Sequence, residues 1–180
     1  MTKGTVTAGR LAAFICALFL SLNSEALTLA DDRDSYEAAA GMQWLGDEDH
    51  SLSPALALQA LLGGKGQKLD SPYPSLGFRE GYQWFLIPVK NNSTLPYWFL
   101  RVGRPHLDYL DIYVFDKDGN RIKHARMGDR VPFHSRELPH YHLVTPLTLP
   151  ADSEHYLLLR AQGNNVIELP ATLMTPAAFN

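Results

Sequence analysis

The chain has 180 residues, of which 46% are hydrophobic, 19% charged and 11% aromatic, enough for about one globular domain. This composition excludes a disordered tail, a collagen-like repeat and a coiled coil. Sixteen Lys and Arg against nineteen Asp and Glu leave a net charge of −3, which argues against nucleic-acid binding, because neutralising phosphates needs clustered cations.

Lys3 and Arg10 precede an apolar run from Leu11 to Leu22, and Ser24 and Ala26 follow it. A positive start, a short apolar stretch and a small-x-small exit predict a secretory signal peptide over residues 1–26. The run is well short of the about 20 residues that span a bilayer. Cys16 lies inside it, so cleavage leaves a cysteine-free domain that must rest on its core rather than on disulfides or thiolate metal sites. No second apolar stretch of spanning length follows, and the exported part is expected to be soluble.

Residues 27–43 read as a lead-in segment, polar at its start, with a first strand around Gln43, Trp44 and Leu45. Ser53 and Pro54 then give an N-cap and a proline at the first helical position. Ala55 to Leu62 are good helix formers, and Gly63 and Gly64 stop them. Gly63 to Pro74 reads as a loop. From Gly77 onward the chain turns into short β-branched and aromatic runs, predicting strands near 82–90, 96–103, 107–115, 120–126, 141–149, 155–161 and 166–174. Turn signals fall at Asn91 to Thr94, Asp118 to Asn120 and Gly163 to Asn165, with a longer loop from Pro132 to Pro139. Strands at this spacing without intervening helices predict an antiparallel β-sandwich.

Period-two parity sorts these strands into faces. Phe85, Ile87 and Val89 oppose Tyr82, Trp84 and Lys90. Trp98, Leu100 and Val102 oppose Tyr97, Phe99 and Arg101. Leu110, Ile112 and Val114 oppose Tyr109, Asp111 and Tyr113, and Leu157, Leu159 and Ala161 oppose Tyr156, Leu158 and Arg160. The first sets suit a sandwich core. The second sets mix rings with charges, as a face for sugars or other small polar ligands would, with rings to stack and charges to orient. A second packed layer fits the same pattern, with Trp84 and Tyr113 covered by loops and Arg101 paired with Asp111.

Catalytic signatures are missing. Gly64-Lys65-Gly66 fits neither a dinucleotide loop nor a phosphate loop. Asp116 to Asn120 resembles a calcium loop but has its glycine fourth and Met127 where the bidentate Glu belongs, so a hairpin turn is expected. There is no nucleophile elbow. Asp47, Glu48, Asp49, Asp108, Asp111, Glu137 and Glu168 supply carboxylates, but spacing does not place two of them about one bond. His140 and His142, two apart on an extended segment, could form a transition-metal site with His134; loop histidines of no special role are the commoner case. No cofactor is expected, and no enzymatic activity.

Ser75 to Ser93, then Pro96 to Val102, Pro105 to Phe115, Asp118 and Gly119, Gly128, Arg136, Leu143 to Pro150 and Tyr156 to Arg160 form an ordered succession. It resembles the type 2 extracellular sensor domain of seven-transmembrane receptors with diverse intracellular signalling modules (7TMR-DISM), over roughly Trp44 to Met174. The resemblance implies a jelly-roll β-sandwich similar to carbohydrate-binding modules, lying in the bacterial periplasm over residues 44–176. It implies a membrane region and a histidine kinase or diguanylate cyclase output in the parent receptor. The chain's last residue, Asn180, falls just after the domain, so such outputs are not assigned to these residues. The chain is either a fragment of such a receptor or a stand-alone relative. Trp84, Asn91, Trp98, Asp108, Gly128, Arg136 and Arg160 match recurrent positions of the family. Gly128 is expected to serve a turn and Asn91 to end a strand, while Arg136 and Arg160 are expected to contact ligand or, failing that, an internal Asp.

The candidate ligand-binding residues are therefore Trp84, Arg101, Tyr109, Asp111, Arg136 and Arg160, with a small polar ligand such as a carbohydrate. Docking of another copy or of another receptor's periplasmic domain is the alternative, and a secreted carbohydrate-active enzyme a third.

Overall fold

A computed structural model describes residues 25–103 and 107–179; the expected signal peptide falls almost wholly on residues outside these. Eleven strands form two sheets among the described residues. They are β1 (Leu27–Leu29), β2 (Ser35–Glu37), β3 (Gln43–Asp47), β4 (Gln67–Lys68), β5 (Tyr82–Asn91), β6 (Tyr97–Val102), β7 (Tyr109–Asp116), β8 (Arg121–Met127), β9 (Leu143–Thr148), β10 (Ser153–Gln162) and β11 (Ala171–Met174). Helix α1 (Pro54–Leu62) lies between β3 and β4, and the short α2 (Pro176–Phe179) follows β11. No helix among the described residues is long and apolar enough to cross a membrane.

One sheet runs β4-β3-β5-β10-β7-β8, with β1 also on β5; the other runs β2-β11-β6-β9. All pairings are antiparallel except β1 on β5, an arrangement consistent with the expected jelly-roll sandwich. Between the sheets lies one apolar core, to which Phe85, Ile87, Ile112, Leu157 and Leu159 contribute from one side and Trp98, Leu100, Leu147 and Leu173 from the other. The inward sets expected from alternation are the observed ones.

Four local departures have physical causes. The expected lead-in carries β1 and β2, because its Leu29 and Tyr36 are buried in the core. The chain there crosses from one sheet to the other, and Tyr36 clamps the crossing through its hydroxyl, which accepts from Ala30 N at 2.7 Å. Gly63 to Pro74 contains the two-residue β4. The last expected strand starts only at Ala171, because Ile167 N and Leu169 N donate to the Gly77 and Pro74 carbonyls in the loop before β5. Gly128 (φ +140°) serves a close approach as well as a turn, since a Cβ there would run into the Asp108 carbonyl.

Asn91 does more than end a strand. Fully buried, its amide nitrogen donates to Leu95 O and Leu149 O, and its oxygen accepts from Ser93 N and Ser93 Oγ. It thereby satisfies carbonyls of the turn after β5 and of the segment after β9, groups that are costly to leave unpaired.

His155 faces the core from β10 and is 7% exposed. Burial pushes its imidazole below the ordinary 6.5, and Asp116 opposes this only in part. His142 is displaced the same way, by burial and then by Arg101 and His140. Below pH 6.5 the unfolded chain therefore takes up protons that the folded one resists, and stability falls with pH. We expect the melting temperature to drop between about pH 7 and pH 5, with a shallower slope in the His142→Leu/His155→Leu variant. An unchanged slope would contradict this.

Candidate functional site

The outer face of the seven-stranded sheet is divided in two, and the division begins with α1. Ser53 caps it, its Oγ accepting from Leu56 N at 3.3 Å, and Pro54 occupies the first turn. Ala57, Leu58 and Leu61, at helical spacing, bury against Trp84, Leu86, Tyr113, Phe115 and Leu158. The incoming loop is pinned by Asp47, whose carboxylate accepts from Ser51 N (2.9 Å), Leu52 N (3.1 Å) and Trp84 Nε1 (3.2 Å). Burial opposes ionisation of Asp47, but these donors outweigh it and hold the carboxyl below its ordinary range.

Beyond α1 the face is open, and its centre is Arg160. Strand register sets Trp84, Arg160, Asp111 and Arg126 side by side across β5, β10, β7 and β8. Arg160 Nη2 and Nε donate to Asp111 Oδ2 at 2.8 and 3.2 Å. Its guanidinium carbon lies 4.3 Å from the Tyr82 ring centroid, 5.4 Å from Trp84 and 5.9 Å from Tyr113. Burial would lower the guanidinium pKa, but the Asp111 bond and charge overcome it and raise it. The other oxygen of Asp111 is 2.8 Å from His124 Nε2, and the His124 ring stacks on Tyr113 at 4.5 Å. Burial and then the charge of Asp111 push the Tyr113 hydroxyl up. At the rim, His50 packs edge-on against Tyr82. Next to it a pocket of about 440 Å³ is lined by His50, Phe78, Arg79, Gln162 and Asn164 among others.

Four of the six expected residues, Trp84, Tyr109, Asp111 and Arg160, share this face. Trp84 and Arg160 are direct cross-strand partners. Three features of the expectation are corrected. Trp84 is 0% exposed beneath α1, so its ring is floor rather than stacking surface. Arg101 lies on the four-stranded sheet, so the partner of Asp111 is Arg160 instead. Arg136 sits in the loop after β8, donating to His140 O (3.0 Å) and Gly128 O (3.2 Å) with its guanidinium over Phe133. Backbone carbonyls hold it, not an Asp and not the shared face.

Asp116 Oδ1 accepts from Asp118 N and Asn120 N, forming the expected hairpin turn. The His140 and His142 rings stack at 5.4 Å, and among the described residues no group of three His, Cys, Asp or Glu is placed to hold a metal. Sequence reasoning missed His50, Gln162, Arg121, His124 and Arg126. Alternation on β10 could have given Gln162, but His50 reaches the face from a loop.

Chemically, this face offers hydrogen-bond donors. Two nitrogens of Arg160 are engaged by Asp111, and Nη1 has no partner among the described residues. The side chain is 17% exposed, so a donor edge backed by rings is accessible to a polar guest.

A search of curated proteins gives no match. Residues 39–175 match the family model described as 7TMR-DISM extracellular 2. The chain belongs to the 7TMR-DISM extracellular 2 family, the extracellular sensor domains of membrane receptors.

Proposed function

We propose that the domain senses a small polar ligand, such as a carbohydrate, on the open half of the outer sheet face, without catalysing a reaction on it. The observation that carries this reading is the Arg160–Asp111 pair, buried enough to be rigid and open enough to present Nη1. Tyr82, Gln162 and His50 surround it at the mouth of the neighbouring pocket. Sites of this kind combine ring surfaces with a few placed polar groups. Binding would reach the rest of the domain through Tyr82 and Trp84 to Asp47 and the start of α1, and could shift two states only by favouring one.

The test is a ligand screen by thermal shift on the full chain, repeated with Tyr82→Ala and Gln162→Ala. Stabilisation by a sugar or another polar solute, lost in both variants, is the expected result. Equal stabilisation of all three proteins would place the ligand elsewhere.

One observation favours docking of a second copy or of another receptor's periplasmic domain. The outer face of the four-stranded sheet side exposes Tyr97 (62%) and Tyr141 (67%), near Phe99 and its ring partner Phe179. Sedimentation that depends on concentration, abolished by Tyr97→Arg, would favour this second reading.

A further inference from the structure

β8 forms an edge of the seven-stranded sheet and carries Arg121, Lys123, His124 and Arg126. Strict alternation would send Arg121 and Arg126 to opposite faces. A register shift removes this conflict. It pairs Lys123 with Val114 and Arg121 with Phe115, leaving Ile122 unpaired. Arg121, His124 and Arg126 consequently share the outer face. The guanidinium of Arg121 lies 6.0 Å from the Tyr113 ring centroid, that of Arg126 5.0 Å from Tyr109, and that of Arg160 4.3 Å from Tyr82.

Three arginines placed over three tyrosine rings thus stand on one face of a chain whose net charge is −3. Carboxylates do not neutralise them all. Asp111 is taken by Arg160 and His124. The other cations nearby have their own partners: Lys117 with Asp118, Lys123 with Glu137 and Arg130 with Asp108. Arg121 and Arg126 are exposed and make no ion pair among the described residues.

A guanidinium held over a ring without an ion-pair partner leaves its N–H groups for an anion, and its fork can take carboxylate or sulfate in two bonds. Their partners on β7, Phe115 and Asp111, are four residues apart, so at about 3.3 Å per residue Arg121 and Arg126 stand roughly 13 Å apart along the sheet. One small anion cannot reach both, whereas an extended ligand with repeated charges can.

Resting on the reading that this face receives the ligand, we infer that the ligand is an acidic oligosaccharide lying along β8, its anionic groups held by Arg121 and Arg126. An acidic peptide fits less well. α1 already covers the apolar part of the face, and what remains open offers guanidinium, imidazole and the amide of Gln162 rather than an apolar hole for a peptide side chain.

Calorimetric titration of the full chain tests this with tetragalacturonate, tetramannuronate, a chondroitin sulfate tetrasaccharide, neutral cellotetraose and a tetraglutamate peptide. At least one acidic saccharide should bind in preference to cellotetraose and weaken with added NaCl. Its affinity should fall roughly tenfold or more in Arg121→Gln/Arg126→Gln, whose melting temperature stays that of the wild type because both side chains are exposed. Preference for cellotetraose or for the peptide, no binding of any acidic saccharide, or binding unchanged in the double variant would each overturn the inference. Binding that survives the arginine variant but is lost in Tyr82→Ala and Gln162→Ala would leave the outer-face reading standing. Binding indifferent to all of them would end that reading too.

Discussion

Trp84→Ala should cost about 3–5 kcal/mol of stability, the range for emptying a fully enclosed aromatic site. The ring is 0% exposed between the seven-stranded sheet and α1, and its indole N–H is one of the donors to the Asp47 carboxylate. Removing it opens a cavity and takes one bond from the residue that pins the start of the helix. Trp84→Phe keeps most of the volume and should lose less. Urea unfolding measures both, with the shift read in the midpoint at constant slope. A loss below about 1 kcal/mol for Trp84→Ala would mean that α1 is not held on this face.

The second large effect concerns the buried ion pair. Asp111→Asn should destabilise by about 3 kcal/mol, because it leaves the guanidinium of Arg160 without its counter-charge. Asp111 is 2% exposed and serves Arg160 and His124 together. By contrast, Glu137→Gln, at the solvent-accessible Lys123 pair, should cost under about 1 kcal/mol. The double replacement Asp111→Leu/Arg160→Met should recover much of the loss, since a buried pair replaced by apolar groups of similar size is often neutral. A double variant as unstable as the sum of its parts would contradict the coupling.

Strand parity carried far in this chain because the inward positions of β5, β6, β7 and β10 are mostly apolar. Phe85, Ile87 and Val89 form the inward set that alternation gives, and the core adopted it. Ser53, Pro54 and Gly63 likewise marked α1 at both ends. Parity sorts residues within a strand but does not say which sheet the strand joins. Arg101 and Arg160 look alike in that respect, and only the pairing of β10 with β7, about 49 residues away in sequence, brings Arg160 to Asp111.

The helix posed a related difficulty. Its apolar positions showed that it must pack, while its resting place over Leu86 and Leu158 was decided by the Asp47 loop. β1 went unnoticed because three residues, Leu27–Leu29, gain their order from a parallel pairing with a strand some sixty residues on. The bulge at Ile122 had no signal in the pattern of β8, yet it gathers Arg121, His124 and Arg126 on one side.

The open half of the outer face is the proposed receiver of the ligand. Amide chemical-shift mapping tests it most directly, during titration of the isotopically labelled full chain with an acidic oligosaccharide. The largest shifts should fall at Tyr109, Arg126, Arg160 and Gln162, with smaller ones at residues 47–52. Shifts confined to the neighbourhood of Tyr97 and Tyr141 on the other side of the sandwich would contradict it.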